Sequence, residues 1–173
     1  MCLETNRIFI REFAPCDAGD LYEILGDEAT MEQCEPAYSF AQTEKFLADF
    51  CIGKKGALAA VQKESGKCIG YILFKPLEED VYEIGWFFNR KYWRQGYAFE
   101  ACGKVIDDAF RERNAHKIMA ETIDNKKSVP LMEKLGMQQE GLQRSHTKDM
   151  NGNWADFYLY GMLREDWEKR QKL

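Results

Sequence analysis

A tight loop around Gly96 constrains the fold of this chain more than any other segment. An apolar run precedes it at residues 81–88, and the apolar positions that follow recur at i, i+1, i+4 and i+5. This pattern predicts a strand, a loop and a helix with one wide buried face. The backbone N–H groups and dipole of such a helix start favour an anion, and the small residues Gly96 and Ala98 let a ligand approach the backbone. The loop is therefore predicted to hold a phosphate-bearing ligand, although it is neither a Walker A sequence nor a GxGxxG fingerprint.

The rest of the chain predicts alternating helices and strands of a mixed α/β fold. Strands are expected at residues 7–13, 57–61, 68–74, 81–88, 116–123, 142–150 and 154–162, and helices at 17–25, 43–52, 97–110, 128–135 and from 164 onward. Thr43 is expected to cap the second helix and Gly136 to close the fourth, while Pro76 and the acidic residues 78–80 form a turn. The strand at 116–123 follows a helical crossover and is expected to run parallel, or nearly so, to the strand at 81–88. Without a repeat or linker, residues 1–173 are predicted to form a single domain.

Composition narrows the classes of function. The net charge of −5 disfavours a nucleic-acid-binding surface, and the six cysteines lack the spacing of a zinc site or a disulfide framework. His116 and His146 have no spaced partner, so no metal is predicted. The N-terminus lacks a signal-peptide pattern, and no apolar run approaches the ~20 residues of a membrane helix. We therefore expect a cytoplasmic protein that binds neither nucleic acid nor membrane.

Two segments, in this order, carry a family resemblance. The first is Glu83-Ile84-Gly85-Trp86-Phe87-Phe88-Asn89-Arg90-Lys91-Tyr92-Trp93-Arg94-Gln95-Gly96-Tyr97-Ala98-Phe99-Glu100-Ala101, and the second is Asn125-Lys126-Lys127-Ser128, continuing to Gly136-Met137. Together they resemble the GNAT superfamily of N-acetyltransferases, and specifically its RimJ/RimL-like branch. The resemblance covers nearly the whole chain and implies the GNAT fold: a mixed central sheet of about seven strands, flanked by helices, with two strands splayed around the coenzyme site.

The resemblance also implies the donor, the acceptor and several binding residues. Acetyl-CoA is the expected donor, a primary amine the acceptor, and transfer is direct, without a covalent enzyme intermediate. The expected pyrophosphate-binding amides are those of Arg94, Gln95, Gly96, Tyr97, Ala98 and Phe99. Backbone near Phe87 and Phe88 is expected to pair with pantetheine and the thioester carbonyl, and Asn125 to contact pantetheine. Two positions depart from the superfamily pattern: Trp93 opens the loop, as is familiar in this branch, and Met132 replaces a tyrosine that often protonates the leaving thiolate.

Candidate catalytic side chains each have a structural alternative. Ser128 is the candidate proton donor to the thiolate, or a helix N-cap. Glu83 is the candidate base for the amine, or a solvent-facing or salt-bridged residue. Glu35 is a candidate for acceptor contact. Alternatives are open for five more residues. Asn125 could instead be a turn residue that ends the 116–123 strand, Lys126 and Lys127 could approach phosphates or line a solvated face, and Asp149 and Asp156 are weaker candidates for the acceptor site.

Amine basicity ranks the acceptors. An α-amine with a pKa of about 7.7–8.0 is roughly 10–20% neutral at pH 7, whereas a lysine side chain near 10.4 is under ~0.1% neutral. The difference is about 3.5 kcal/mol of deprotonation. A site without an obvious strong base is therefore better matched to a protein N-terminal α-amine. The alternatives are a small amine (a polyamine, an amino-acid derivative or an aminoglycoside) and a CoA-binding regulatory module without catalysis. The chain is expected to be a monomer or a homodimer.

Overall fold

The computed structural model describes residues 1–172. Its strands are β1 (Cys2–Glu4), β2 (Ile8–Glu12), β3 (Ala57–Gln62), β4 (Cys68–Glu78), β5 (Val81–Phe88), β6 (Lys117–Thr122), β7 (Gln138–Lys148) and β8 (Trp154–Leu163). Its helices are α1 (Ala18–Leu25), α2 (Glu28–Met31), α3 (Phe40–Phe46, continued by a π-helical segment, Leu47–Gly53), α4 (Tyr97–Arg111), α5 (Ser128–Leu135) and α6 (Arg164–Gln171). None of these helices, within residues 1–172, is long and apolar enough to cross a membrane.

The eight strands form one sheet with helices on both faces. The strand order is β1-β2-β3-β4-β5-β6-β8-β7, and every neighbouring pair is antiparallel except β5 and β6. One face packs on the apolar stripe of α4 and on α5, and the other packs on α1, α3 and the π-helical segment. Strand β3 lies between both layers and is buried at every position, which explains its continuous apolar sequence.

The parallel pair is the feature that positions the site. Strands β5 and β6 pair over only three positions, Val81 to Glu83 with Lys117 to Met119. Beyond Glu83 and Met119 the two strands no longer pair with each other, although each stays paired with its other neighbour, so the sheet opens into a fork. Helix α4 connects these two strands, as the predicted crossover requires. The splayed strands that the family resemblance implies are therefore present.

The sheet has one strand more than the seven that were individually predicted, because the three residues of β1 are too short to show an alternating pattern. Two local predictions were wrong. Helix α3 is capped by Ser39 in a capping box with Gln42, and Thr43 instead lies buried one turn inside the helix, where its hydroxyl donates to the Ser39 carbonyl. Pro76 does not end β4, which continues to Glu78 through a bulge. The proline is tolerated there because β4 already extends past the end of its pairing with β3.

Candidate active site

The open edge of β5 presents backbone groups to the fork. The Asn89 N–H donates to the Ile69 carbonyl of β4 at 2.9 Å, and backbone groups in an antiparallel ladder alternate in direction. The N–H and C=O of Phe87 therefore face β4, whereas those of Trp86 and the N–H of Phe88 face the fork. The Phe88 carbonyl is already occupied, because it accepts a hydrogen bond from the Trp93 indole at 2.6 Å. Because its backbone groups face β4, Phe87 can contact a ligand only through its side chain, which lies on the α1 face of the sheet.

The loop between β5 and α4 is held in an unusual conformation. It begins with a short 3₁₀ turn capped by the buried Asn89, whose Oδ1 accepts from the Lys91 N–H at 3.1 Å. Arg94 and Gly96 both adopt left-handed backbone angles, with φ of 58° and 84°. The left-handed conformation costs a non-glycine residue about 1–2 kcal/mol, so the Arg94 geometry must be maintained by its surroundings.

This loop carries a row of unused hydrogen-bond donors. Within residues 1–172, the backbone N–H groups of residues 94–99 donate to no protein acceptor. The last three belong to the first turn of α4, a 15-residue helix whose N-cap is Gly96. Unpaired amides and the positive end of a helix dipole together attract an anion. The donor set has the chemistry that a diphosphate requires.

The positive side chains around the loop divide into paired and unpaired groups. Arg90 lies 3.1 Å from Asp27 and Lys91 3.5 Å from Glu23, so these two cations tie the loop to α1 and α2. Within the described part of the chain, Arg94 has no carboxylate partner within 4.0 Å, and neither does Lys126. These two positive charges are available to phosphates.

The second sequence motif meets the first in space. Lys127 Nζ lies 4.8 Å from the centre of the Trp93 ring, so the 125–128 segment adjoins the start of the loop. Asp124 organises this segment, because its Oδ1 accepts from the N–H groups of Lys126 and Lys127 at 3.0 Å each. Ser128 is the first residue of α5 and is not its N-cap, a position that Lys127 occupies. The Ser128 hydroxyl therefore remains available to a ligand.

Asn125 is already in contact with a side chain. Its Nδ2 lies 3.3 Å from the Tyr158 hydroxyl on β8, which orients the amide between the loop motif and the last hairpin. Lys127 also pairs with Glu32 at 3.5 Å. Because Glu32 follows α2, this ion pair brings the 27–39 connection beside the same motif.

A group of ionisable residues flanks the fork on the α1 face. Glu83 is the last paired residue of β5, is mostly buried, and forms an ion pair with Lys75 at 2.9 Å. Across the fork, Glu121 lies two residues beyond Met119 and so projects from the same face of the sheet. Burial and the nearby Glu83 charge raise the pKa of Glu121. One lysine therefore balances two carboxylates.

Two tyrosines line the neighbouring side of this group. Tyr71 is only 5% exposed, and its hydroxyl makes no hydrogen bond within residues 1–172. Burial raises the pKa of Tyr71, and Tyr38 and Glu83 are among the charged or polar groups that add to the rise. Burial and the adjacent Glu35 raise the pKa of Tyr38 to about 12. Glu35 is thus linked to this group only by its neighbour Tyr38, whereas Glu83 and Glu121 lie at the fork itself.

The remaining candidates have structural partners elsewhere. Asp149 accepts from the N–H groups of Asn151 and Asn153 and closes the β7–β8 turn, and Asp156 accepts from Ser145 N–H across the hairpin. His146 packs on Phe157 in the same hairpin. Within residues 1–172, no three His, Cys, Asp or Glu side chains are arranged to hold a metal ion.

Comparison with protein families decides what this arrangement is. The model of the acetyltransferase (GNAT) domain matches residues 7–138, which include the fork, the loop and the 125–128 segment. The chain belongs to the GNAT family of acetyltransferases. A curated relative, the uncharacterized N-acetyltransferase YnaD of Bacillus subtilis, is 35% identical over 173 residues and covers 96% of this chain and 99% of its own. The GNAT assignment makes the chain an acetyl-CoA-dependent N-acetyltransferase.

Solved GNAT structures agree with the fold. An acetyltransferase (GNAT family) from Bacillus anthracis superposes with a TM-score of 0.88 at 30% identity, over 95% of this chain and 99% of that one. Two structures under 25% identity show the same fold alone. They are the ribosomal-protein-S5-alanine acetyltransferase of Vibrio fischeri (TM-score 0.77, 24% identity, 96% and 98% coverage) and the spermidine N-acetyltransferase of Vibrio cholerae in complex with CoA and spermine (0.82, 19%, 95% and 99%).

Two residues of this GNAT site escaped the sequence predictions. Trp86 offers its backbone to the fork, and period-two alternation counted back from Phe88 could have identified it. Glu121 lies on the opposite face of β6 from the buried Ile118 and Ala120, so the strand pattern predicts its direction. Its closeness to Glu83 depends on the register of β5 and β6, which no local pattern in the sequence specifies.

Proposed function

We propose that this chain, as a single domain over residues 1–173, transfers the acetyl group of acetyl-CoA to the α-amine of a protein N-terminus. The observation that carries the proposal is the row of unpaired N–H groups at residues 94–99, beside a sheet that opens between β5 and β6. The loop supplies donors for a diphosphate, and the open edge of β5 supplies the donors and acceptors of a missing strand. Acetyl-CoA matches both, since it joins a diphosphate to an extended, amide-containing arm and contributes an activated acetyl thioester.

The proposed donor site divides between the backbone and a few side chains. The amides of residues 94–99 hold the diphosphate, with Arg94 and Lys126 as balancing charges. The backbone of Trp86 and the N–H of Phe88 hold the pantetheine arm along β5, and Asn125 contacts the same arm from the loop before α5. Phe87 contributes through its side chain. Gly96 lets the loop adopt its left-handed backbone conformation, with a φ of 84°, without the strain that a Cβ would add.

Glu83 is proposed to remove a proton from the acceptor ammonium, directly or through water. Glu83 forms an ion pair with Lys75, and a carboxylate is a weak base. A weak base suits an acceptor that is already partly neutral at pH 7, as an α-amine is and a lysine side chain is not. This match is the reason for preferring an N-terminal acceptor and the RimJ/RimL-like branch. Glu35 and Tyr38 would contact the residues that follow the acceptor's N-terminal residue.

Ser128 is proposed to donate a proton to the leaving thiolate, directly or through water. In the balanced transfer the acceptor nitrogen loses two protons and gains a bond to the acetyl carbon, while the carbon–sulfur bond breaks. Glu83 accepts one of these two protons. Ser128 donates a proton to the sulfur, which balances the second. Met132 is buried and has no acidic proton, so it cannot replace the tyrosine found in many relatives.

A small polycationic amine is the second candidate acceptor, and one observation favours it. Glu83 and Glu121 share a single lysine at the fork, which leaves an excess of negative charge for a second ammonium group. The proposal locates the enzyme in the cytoplasm, where acetyl-CoA is supplied and thiols stay reduced, which suits its six unpaired cysteines.

Calorimetric titration followed by a thiol-release assay tests the proposal. Acetyl-CoA should bind without an acceptor, and peptides with a free N-terminus should release thiol faster than the same peptides with a blocked N-terminus and a free lysine. Faster release with a polyamine than with every free N-terminus would select the second candidate. Binding of acetyl-CoA without thiol release over the whole panel would contradict both.

A further inference from the structure

Arg7, from a distant part of the sequence, forms hydrogen bonds with the proposed phosphate-binding loop and with the start of α4. Its Nε donates to Glu100 Oε2 at 2.7 Å, and its backbone N–H donates to Oε1 of the same carboxylate at 2.9 Å. Its Nη1 donates to the Gln95 carbonyl at 3.0 Å. The guanidinium also lies 4.2 Å from the centre of the Tyr97 ring. One residue thus contacts both the loop, at Gln95, and the first turn of α4, at Tyr97 and Glu100.

The contact with Gln95 determines where the loop amides point. A trans peptide directs its C=O and the following N–H to opposite sides. Because the Gln95 carbonyl points at Arg7, the Gly96 N–H points away from Arg7 and belongs to the unpaired row. Arg94, one residue earlier, has the strained φ of 58° that needs support from outside the loop. Arg7 provides such support.

We infer that Arg7 is a positioning residue that fixes the 94–99 loop with its amides directed at the donor. The inference rests on the proposed donor site, because it assigns a cause to the geometry of that site. The Arg7 guanidinium itself donates to the protein through three nitrogen–oxygen contacts, so its role is to hold the loop and not to bind phosphate.

The carboxylate partner gives Arg7 a second effect that the test must separate. Glu100 lies in the first turn of α4, beside the predicted phosphate site, and Arg7 balances its charge at 2.7 Å. Burial raises the pKa of Glu100, but hydrogen bonds from Thr5 and Arg7 outweigh burial and lower it, so the carboxylate stays charged. A variant that removes only the Arg7 charge would therefore leave the Glu100 carboxylate unbalanced, and this carboxylate would repel an anionic donor.

The test measures acetyl-CoA affinity by isothermal titration in R7K, R7Q and the double variant R7Q/E100Q. Lysine keeps the charge but cannot bridge Glu100 and Gln95 with a planar fork of donors. The double variant removes both charges and leaves no unbalanced carboxylate. We expect each of the three to raise the Kd of acetyl-CoA about tenfold, equal to about 1.4 kcal/mol. With the donor at saturation, kcat should stay within about twofold of the original enzyme, because Arg7 does not contact the reacting atoms.

Two outcomes would overturn the inference. An unchanged Kd in R7K would mean that charge alone matters, and a restored Kd in R7Q/E100Q would mean that Arg7 only neutralises Glu100. Thermal unfolding verifies that each variant is folded, and if R7Q is not, R7K and E100Q carry the same comparison.

A matched control and a reference variant complete the design. Arg11 lies on β2, which begins directly after Arg7, and forms a bidentate ion pair with Asp17, at 2.7 and 2.8 Å, away from the loop. R11Q should lower the melting temperature without changing the Kd. If Gly96→Val also binds acetyl-CoA normally, the donor-site proposal fails. If G96V loses affinity while R7K and R7Q keep it, only the role of Arg7 fails.

Discussion

Replacing Gly96 by alanine should introduce backbone strain, which lowers either the stability of the free protein or its affinity for acetyl-CoA. Gly96 has a φ of 84°, and a Cβ there would meet only Arg7 Nη2, at 3.4 Å, so the cost is conformational and not steric. A non-glycine residue in this region costs about 1–2 kcal/mol. If the unliganded loop keeps its conformation, stability falls by that amount; if it relaxes, the Kd of acetyl-CoA rises about 5- to 30-fold instead. The loss in the free energy of unfolding and the loss in the free energy of binding should together equal about 1–2 kcal/mol.

Gly152 provides the matched control. It lies in the β7–β8 turn with a φ of 80° and has nothing within 4 Å of an added Cβ. G152A should therefore lose stability by a similar amount and bind acetyl-CoA normally. Chemical denaturation gives the first quantity and isothermal titration the second.

Valine makes the comparison decisive. A β-branched residue is strongly excluded from the left-handed region, so Gly96→Val should force the loop out of its observed conformation. Affinity for acetyl-CoA should then be lost while the distant core keeps the chain folded. A folded G96V protein with unchanged affinity would refute the reasoning that this loop grips the donor.

Three further predictions concern side chains around the fork. Ser128→Ala should lower kcat more than it changes the Kd of acetyl-CoA in a thiol-release assay, and an unchanged kcat would remove Ser128 from the mechanism. Glu83→Gln should lower kcat about 10²-fold or more, the usual contribution of a general base, and should shift the pH–rate profile; a wild-type profile would exclude Glu83 as the base. Glu121 has a raised pKa in the folded protein, so its stabilising effect is present in acid and is lost as the pH rises through that value. E121Q should therefore raise the melting temperature at pH 7 and have a smaller effect at about pH 3, where the carboxyl is mostly protonated in both states; equal effects at both pH values would contradict this account.

The strand, loop and helix around Gly96 could be predicted because every signal for them is local. The apolar run of β5, the glycine and the stripe of α4 follow one another within 31 residues, Val81–Arg111, and each has its own periodicity. The fork was implied by family resemblance alone. Only the paired positions, three of the eight residues in β5, show where the strands part.

The contacts that position the site could not be predicted from sequence because they join distant segments. Arg7 and Glu100 are 93 residues apart, and nothing near Arg7 in the chain indicates that its partner lies on α4. The cap of α3 was wrong for a different reason. Ser39 and Thr43 are both suitable caps, and the choice depends on which hydroxyl the tertiary structure buries.

A crystal structure of the full chain with CoA bound tests the central claim most directly. The quantity to measure is the distance from the backbone nitrogens of residues 94–99 to the pyrophosphate oxygens. We predict that several of these distances fall in the hydrogen-bond range of about 2.7–3.2 Å, with the pantetheine arm along the open edge of β5. A diphosphate bound elsewhere, or amides of this loop that face away from it, would contradict the account.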